Sequence, residues 1–276
     1  MMPSKALIDT TVLVDLLLKP NTAEQTQARQ AVAKFKTTQL PAYAIKEFKA
    51  GALANYIYCH NKLAVTRSLS RTLKALQRLS LTPQRYKTAT ALEALSAVTS
   101  GDVQVSLRIL SDEYGAQADV DYVNADRMRF ALQMLILRAW KKRRHVTTEV
   151  ILPLACYEET SPYEHRGLLE RGPVECERKP CAMAAKMSAT VEKLQLLRQV
   201  IAQLPAKTEN QRRSQALRKL VRFSGKGFSS GDCRRLGDAV FAYVCPDDSV
   251  ILTTNTRDMQ PLASALGKIA LSPSDV

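Results

Sequence analysis

Leu236-Gly-Asp-Ala-Val-Phe-Ala-Tyr-Val-Cys-Pro246 and Ser249-Val-Ile-Leu-Thr-Thr-Asn-Thr-Arg-Asp-Met259, separated only by Asp247 and Asp248, decide the fold. In the first piece Ala239, Val240, Ala242 and Val244 make an apolar side and Pro246 stops it, which predicts a short helix. The second opens on the uncharged run Val250, Ile251 and Leu252, the pattern of a strand buried on both faces. Polar residues follow, and a helical pattern restarts near Arg257. A helix, a buried strand and a polar carboxyl end form the arrangement in which open α/β sheets place their sites. Asp238 and Asp258 stand at its two ends. Lys5-Ala-Leu-Ile-Asp9-Thr-Thr11 repeats the pattern, an apolar strand ending in an aspartate and a threonine pair. Two such strands predict a shared acidic pocket in an α/β protein.

Around that pocket the charge is uneven. The net +14 divides into +3 for residues 1–60, +13 for 61–230 and −2 for 231–276. A basic body beside an acidic pocket suits a polyanion held by one part and cut by another, although a merely solvated surface has the same composition. No stretch reaches the ~18 apolar residues of a membrane span. Asp9 and Asp15 interrupt the first apolar run, so no signal peptide is read and the expected location is the cytoplasm. Six scattered cysteines argue for thiols or a metal and against a disulfide framework.

Along the chain, Thr10 or Thr11 is placed to cap a helix through Leu17 that Pro20 ends, and Asn21 and Thr22 open another. Gln39 to Tyr43 reads as extended, and a third helix from Ala44 carries Glu47. Residues 62–146 are almost continuously helical in pattern. Their longest helix runs from Asn124 to Arg144, with Phe130, Met134, Leu137 and Trp140 on one side, and we expect Trp140 to be core. Prolines and glycines make 147–181 the expected long loop. Helices resume over Ala182 to Leu204 and Gln211 to Phe223, and Gly225 to Gly231 reads as a joint. A helix from Pro261 to Leu266 and an edge strand from Lys268 to Leu271 close the chain. There is no internal repeat.

Hydrolysing a phosphodiester needs an activated water and compensation for charge on the phosphate oxygens. Mg²⁺ or Mn²⁺ supplies both and takes carboxylate ligands. Such a site needs acids from distant parts of the chain near strand ends, and Asp9, Glu47, Asp238 and the Asn255 to Asp258 turn fit. Asp258 reads equally as a ligand or as the cap of its helix. Asp15 reads as an exposed helix charge, Asp232 as a cap, and Thr10 and Thr11 as caps more simply than as ligands of water or metal. Arg138, Lys141, Lys142, Arg143 and Arg144 form one positive cluster. Arg212, Arg213, Arg218, Lys219 and Arg222 form a second, and both suit phosphate, with an acidic partner protein or plain solvation as the rival readings. Cys156, His165, Cys176 and Cys181 share the irregular segment but lack a close CxxC pair, so we expect free thiols there in preference to zinc. Cys59-His60 is expected at a helix end without a partner.

Four pieces in this order resemble a PIN-domain nuclease of the kind found in bacterial toxin–antitoxin pairs. They are Ala6-Leu-Ile-Asp9-Thr-Thr-Val-Leu-Val-Asp15, Leu40-Pro-Ala-Tyr-Ala-Ile-Lys-Glu47-Phe-Lys-Ala-Gly51, Gly237-Asp238-Ala-Val-Phe-Ala242 and Ile251-Leu-Thr-Thr-Asn-Thr-Arg-Asp258. The resemblance implies a Rossmann-like parallel sheet flanked by helices and a Mg²⁺- or Mn²⁺-dependent endoribonuclease in which Asp9, Glu47 and Asp238 are metal ligands. It also implies an antitoxin protein and a homodimer as partners, with RNA as substrate. Nothing in the chain distinguishes RNA from DNA, and a PIN scaffold that binds without cutting is a further alternative. The chain departs from the family twice. Thr256 stands where a fourth acid is usual, leaving Asn255 or Asp258 to support the metal. And 190 residues separate Glu47 from Asp238, which implies a discontinuous core, 1–61 and 229–276, with a basic, mostly helical insertion over 62–228, part of which completes the core.

Overall fold

The protein is seen in a computed structural model that describes residues 4–82, 86–99, 120–151, 160–173, 181–205, 208–223 and 228–276. β1 (Lys5–Ile8) runs directly into α1 (Thr10–Leu18), and α2 (Ala23–Ala33) returns the chain to β2 (Thr37–Pro41). α3 (Ala42–Phe48), one π-helical turn (Lys49–Leu53) and α4 (Ala54–Thr66) follow without a break, then α5 (Leu69–Ser80), α6 (Tyr86–Thr99) and α7 (Val120–Lys142). Next come β3 (Glu149–Ile151), the hairpin of β4 (Tyr163–His165) and β5 (Leu168–Glu170), and the helices α8 (Ala182–Ser188), α9 (Val191–Gln203), α10 (Thr208–Phe223), α11 (Ser230–Leu236) and α12 (Asp238–Val244). β6 (Ser249–Leu252), α13 (Thr256–Ala265) and β7 (Ala270–Leu271) end the chain.

Five strands make one parallel sheet in the order β3-β2-β1-β6-β7. β1 and β6 are its centre, paired in register from Lys5–Ser249 to Ile8–Leu252. Ala6, Leu7, Ile8, Val250, Ile251 and Leu252 are all buried, as a sheet covered by helices on both faces requires. The chain turns to opposite sides of the sheet after β1 and after β6, so the order reverses between these two strands. In open α/β sheets the crevice at that reversal, beyond the carboxyl ends, is where ligands bind. This is an α/β protein with a Rossmann-like parallel sheet. Among the described residues no helix is long and apolar enough to cross a membrane.

Local chemistry explains the helix starts. Thr22 accepts from the Gln25 N–H to cap α2, and Ser68 accepts from the Arg71 N–H to cap α5. Ser229 and Asp232 exchange bonds in a capping box on α11. At the π-turn, Lys49 is fully buried. Its Nζ donates to Thr160 O (2.7 Å), Thr160 Oγ1 (2.8 Å) and Pro173 O (3.2 Å), tying the segment before and after the hairpin to the core. Asn61 completes that tie, donating to Leu169 O and accepting from Leu169 N–H, both at 2.8 Å.

Several expectations need correction. The expected long loop over 147–181 contains β3, which extends the sheet beside β2, and the hairpin; strands of three residues are too short for periodicity to reveal. On α7, Trp140 is buried as expected, but Phe130 is 60% exposed and Met134 and Leu137 are exposed too. The inward stripe is Leu132, Ile136, Ala139 and Trp140. The helix carries two apolar stripes, and packing against α4 selects between them. Asp15 is 5% exposed and paired with Lys19 at 2.8 Å, so it is not a surface charge. Cys59 and His60 lie mid-helix in α4, buried, with Cys59 Sγ donating to Ala91 O and His60 Nδ1 beside Asn61 Oδ1. Ala182 to Leu204 is two helices broken at Ala189 and Thr190, and the last helix begins at Thr256, ahead of Pro261. Residues 225–227 of the expected joint, and Cys156 and Cys176, lie outside the described residues. Cys181 is buried and not in a disulfide, and His165 is exposed beside Glu170.

Candidate metal centre

Asp9 follows β1 directly and, in place of either threonine, is the N-cap of α1. Its Oδ1 accepts from the Thr10 N–H at 2.6 Å, and its Oδ2 accepts from Thr11 Oγ1 (2.8 Å) and Thr253 Oγ1 (2.6 Å). The Asp9 N–H donates to Leu252 O, so the ends of β1 and β6 are joined twice. Thr253, the first residue beyond β6, also accepts from the Asn255 N–H. These donors favour the ionised carboxylate, yet burial outweighs them and pushes the Asp9 carboxyl above its ordinary pKa.

Glu47 projects from α3, which starts at the carboxyl end of the neighbouring strand β2. It accepts from Thr10 Oγ1 at 2.6 Å, so Thr10 bridges two acids through one backbone donor and one hydroxyl. Burial raises the Glu47 carboxyl to about 7, with the charges of Asp9 and Asp238 pushing the same way. Asp238 is the first residue of α12, set by Gly237, whose φ of +43° breaks the run from α11. Burial lifts Asp238 to about 6, against the opposing pull of Arg213 and with added repulsion from Asp9 and Asp258. Tyr43 belongs to the same neighbourhood. Its hydroxyl donates to Cys233 O, its ring meets Phe241 edge-on, and burial plus the charges of Glu47 and Asp238 hold its phenol well above the usual range.

The three distant acids therefore lie within electrostatic reach of one another at the sheet's point of reversal. Their oxygens are the donors that hard divalent cations take. Among the described residues Glu47 accepts only the Thr10 bond and Asp238 only the Arg213 bond, so each keeps a carboxylate oxygen without a protein donor. By donor chemistry and surplus negative charge these residues suit Mg²⁺ or Mn²⁺. In the positions they occupy, however, no three His, Cys, Asp or Glu side chains among the described residues stand close enough to enclose one ion.

The other sequence candidates fall in different places. Asp258 sits in the first turn of α13, near enough to Asp238 to repel it. Asn255 precedes that helix without a side-chain capping bond, and Thr256 begins it. Arg138, Lys141, Lys142 and Arg144 are exposed at the end of α7, whereas Arg143 stacks on the Trp140 ring at 3.7 Å. Arg212 is exposed, but its neighbour Arg213 is only 3% exposed and faces inward, Nη2 donating to Asp238 Oδ2 at 3.2 Å. Asp232 is no free acid, since Ser229, Lys219 and Arg235 all donate to it. Thr253 was missed in the sequence although it opens the polar run after β6. No family model, curated protein or solved structure matches this chain.

Proposed function

We propose that the chain is a PIN-like, metal-dependent endoribonuclease, with Asp9, Glu47 and Asp238 holding Mg²⁺ or Mn²⁺ and the basic helices of 62–228 holding the strand. The observation that carries this reading is that these three acids, from the end of β1, from α3 and from α12, lie within electrostatic reach of one another beyond the carboxyl ends of the central strands. A divalent ion bound there would lower the pKa of a water and offset charge on the scissile phosphate. The chain's own part is positional. Three donors fix Asp9, while Glu47 and Asp238 are each held by one bond among the described residues and would supply the remaining ligands. Exposed Arg138, Lys141, Lys142, Arg144 and Arg212 would contact phosphates, with Asp258 and Asn255 supporting the metal from α13.

A second reading, a PIN-like scaffold that binds nucleic acid without cutting, is favoured by Thr256 at the position of a fourth acid and by the spread of the acids. One experiment separates the readings. Labelled RNA and DNA of the same sequence are incubated with the protein in Mn²⁺, in Mg²⁺ and in chelator, beside Asp9→Asn. RNA products that disappear with chelator and with Asp9→Asn support the nuclease. Cleavage of DNA instead moves the substrate, and binding without products in any metal supports the scaffold.

A further inference from the structure

We infer that a cleft between α4, α7 and the β4–β5 turn binds a nucleotide, its phosphate held by Arg67, Arg166 and Arg129 and its ring beside Tyr122. None of Asp9, Glu47 and Asp238 lines this cleft. It requires neither a metal nor cleavage, so it stands whether or not the nuclease reading does.

Two of these arginines occupy backbone positions that an arginine does not favour. Arg67 closes α4 in the left-handed region, with φ +48° and ψ +32°, and its N–H returns to Leu63 O at 2.9 Å. Glycine, or else asparagine, is the usual residue at such a helix end. Arg166 and Gly167 are the two residues between His165 and Leu168 in the hairpin, with φ of +52° and +75°. Positive φ at both positions marks the type I′ turn, for which Asn-Gly is preferred. Only three non-glycine residues among those described have positive φ, and two of them are arginines lining one cleft. Both are exposed, and neither side chain has an ion pair or hydrogen bond among the described residues. No contact within the described chain therefore accounts for an arginine at either place. An anion in the cleft accounts for both, and strain of this kind collects at ligand clamps.

The charges point the same way. Arg129, from α7, donates to Asp126 Oδ1 through Nε (3.0 Å) and Nη2 (2.9 Å), and Asp126 is the one described acid lining the cleft. That pair cancels, and Arg67 and Arg166 remain as a surplus of two positive charges. The neighbouring acids do not remove it. Asp121 accepts from Ser68 Oγ, the Ser70 N–H and Ser70 Oγ, and Glu164 accepts from Gln133 Nε2 at 2.9 Å. Taken whole, the segments 61–71, 120–130 and 163–170 carry six lysines and arginines against four aspartates and glutamates, again a surplus of two. Guanidinium forks fit phosphate oxygens in charge and in shape. The cleft holds about 520 Å³, within the range of small-molecule sites. Tyr122, 38% exposed, and Val65, 69% exposed, give it an apolar wall against which a base can stack.

The test titrates the full chain in chelator, so that no metal contributes, with 5′-AMP and with adenosine by calorimetry, and with a short labelled single-stranded RNA by fluorescence anisotropy. Where AMP binds, adenosine, which lacks the phosphate, should bind about tenfold more weakly or less. Arg67→Gly and Arg166→Asn each install the residue that the local backbone favours. Each should weaken AMP or RNA about tenfold while melting at the wild-type temperature or above. Arg218→Gln, which removes an exposed charge on α10, should leave both affinities unchanged and controls for general electrostatic attraction. Weakening of AMP assigns the cleft to a free nucleotide, and weakening of RNA alone assigns it to a nucleotide within a strand. Wild type that binds neither probe overturns the inference, as do variants that bind both probes undiminished. An equal loss in Arg218→Gln, or losses that come only with a lowered melting temperature in both arginine variants, overturns it too.

Discussion

Thr253 Oγ1 donates a 2.6 Å hydrogen bond to Asp9 Oδ2, joining the ends of two strands that are 244 residues apart in the chain. The same hydroxyl oxygen accepts from the Asn255 N–H, so one side chain couples β1, β6 and the start of α13. Thr253→Val keeps the shape and removes both bonds. We expect a loss of about 1–2 kcal/mol in urea unfolding at neutral pH, the usual result of leaving a buried group without its partner. Unchanged stability would show that Thr10 and Thr11 suffice to hold Asp9.

Glu47 carries a pH prediction. Its folded pKa of about 7 lies above the ordinary 4.5, so between those values the native state binds more protons than the unfolded chain. Stability therefore falls as pH rises through this window, and the full penalty is present above about 7. Glu47→Gln removes the charge and can still accept from Thr10. In chelator it should be more stable than the wild type by on the order of 1–2 kcal/mol at pH 8, a figure reduced for partial exposure, and equal to it at pH 4. Urea melts at the two pH values check this; a gain at pH 4 as large as at pH 8 would count against it.

Gly237 has φ +43° and ψ −118°, a region L side chains avoid. The nearest atoms an added Cβ would meet are at 3.8 and 3.9 Å, ordinary contacts, so any effect of Gly237→Ala comes from backbone strain. A destabilisation of about 1–3 kcal/mol is expected. Because the turn aims Asp238, Mn²⁺ affinity should fall in the same variant, measured by calorimetry.

Lys49 donates to Thr160 O, Thr160 Oγ1 and Pro173 O and lies 5.2 Å from the centre of the Trp140 ring. Lys49→Met fills similar space but strips the donor from Thr160 O and Pro173 O. Thermal melting should show a loss of about 2 kcal/mol or more. Hydrogen exchange should speed up over 163–170, the hairpin that this ammonium and Asn61 tie down, with little change in β1 and β6.

As candidates, Asp9 and Asp238 are marked by junctions the chain writes locally, whereas Glu47, inside α3, is marked chiefly by its place in the family resemblance. Apolar runs of three residues mark β1 and β6, Pro246 ends α12, and Asp9 and Asp238 stand at the ends of such elements. Nothing equally local marks β3, whose three residues become a strand only by pairing with β2.

By itself, then, the sequence determined that one buried strand ends in an aspartate and a second in a polar run, that a basic helical segment lies between them, and where most helices begin and end. These follow from short-range rules of burial, capping and proline. The tertiary structure alone decided that Arg213 turns inward to Asp238 while Arg212 faces solvent, that Asp15 is buried, and that α7 hides Ile136 and leaves Phe130 out. The physical reason is common to all three. A side chain's type records what it would accept as surroundings, and only packing against elements distant in the chain settles which surroundings it receives.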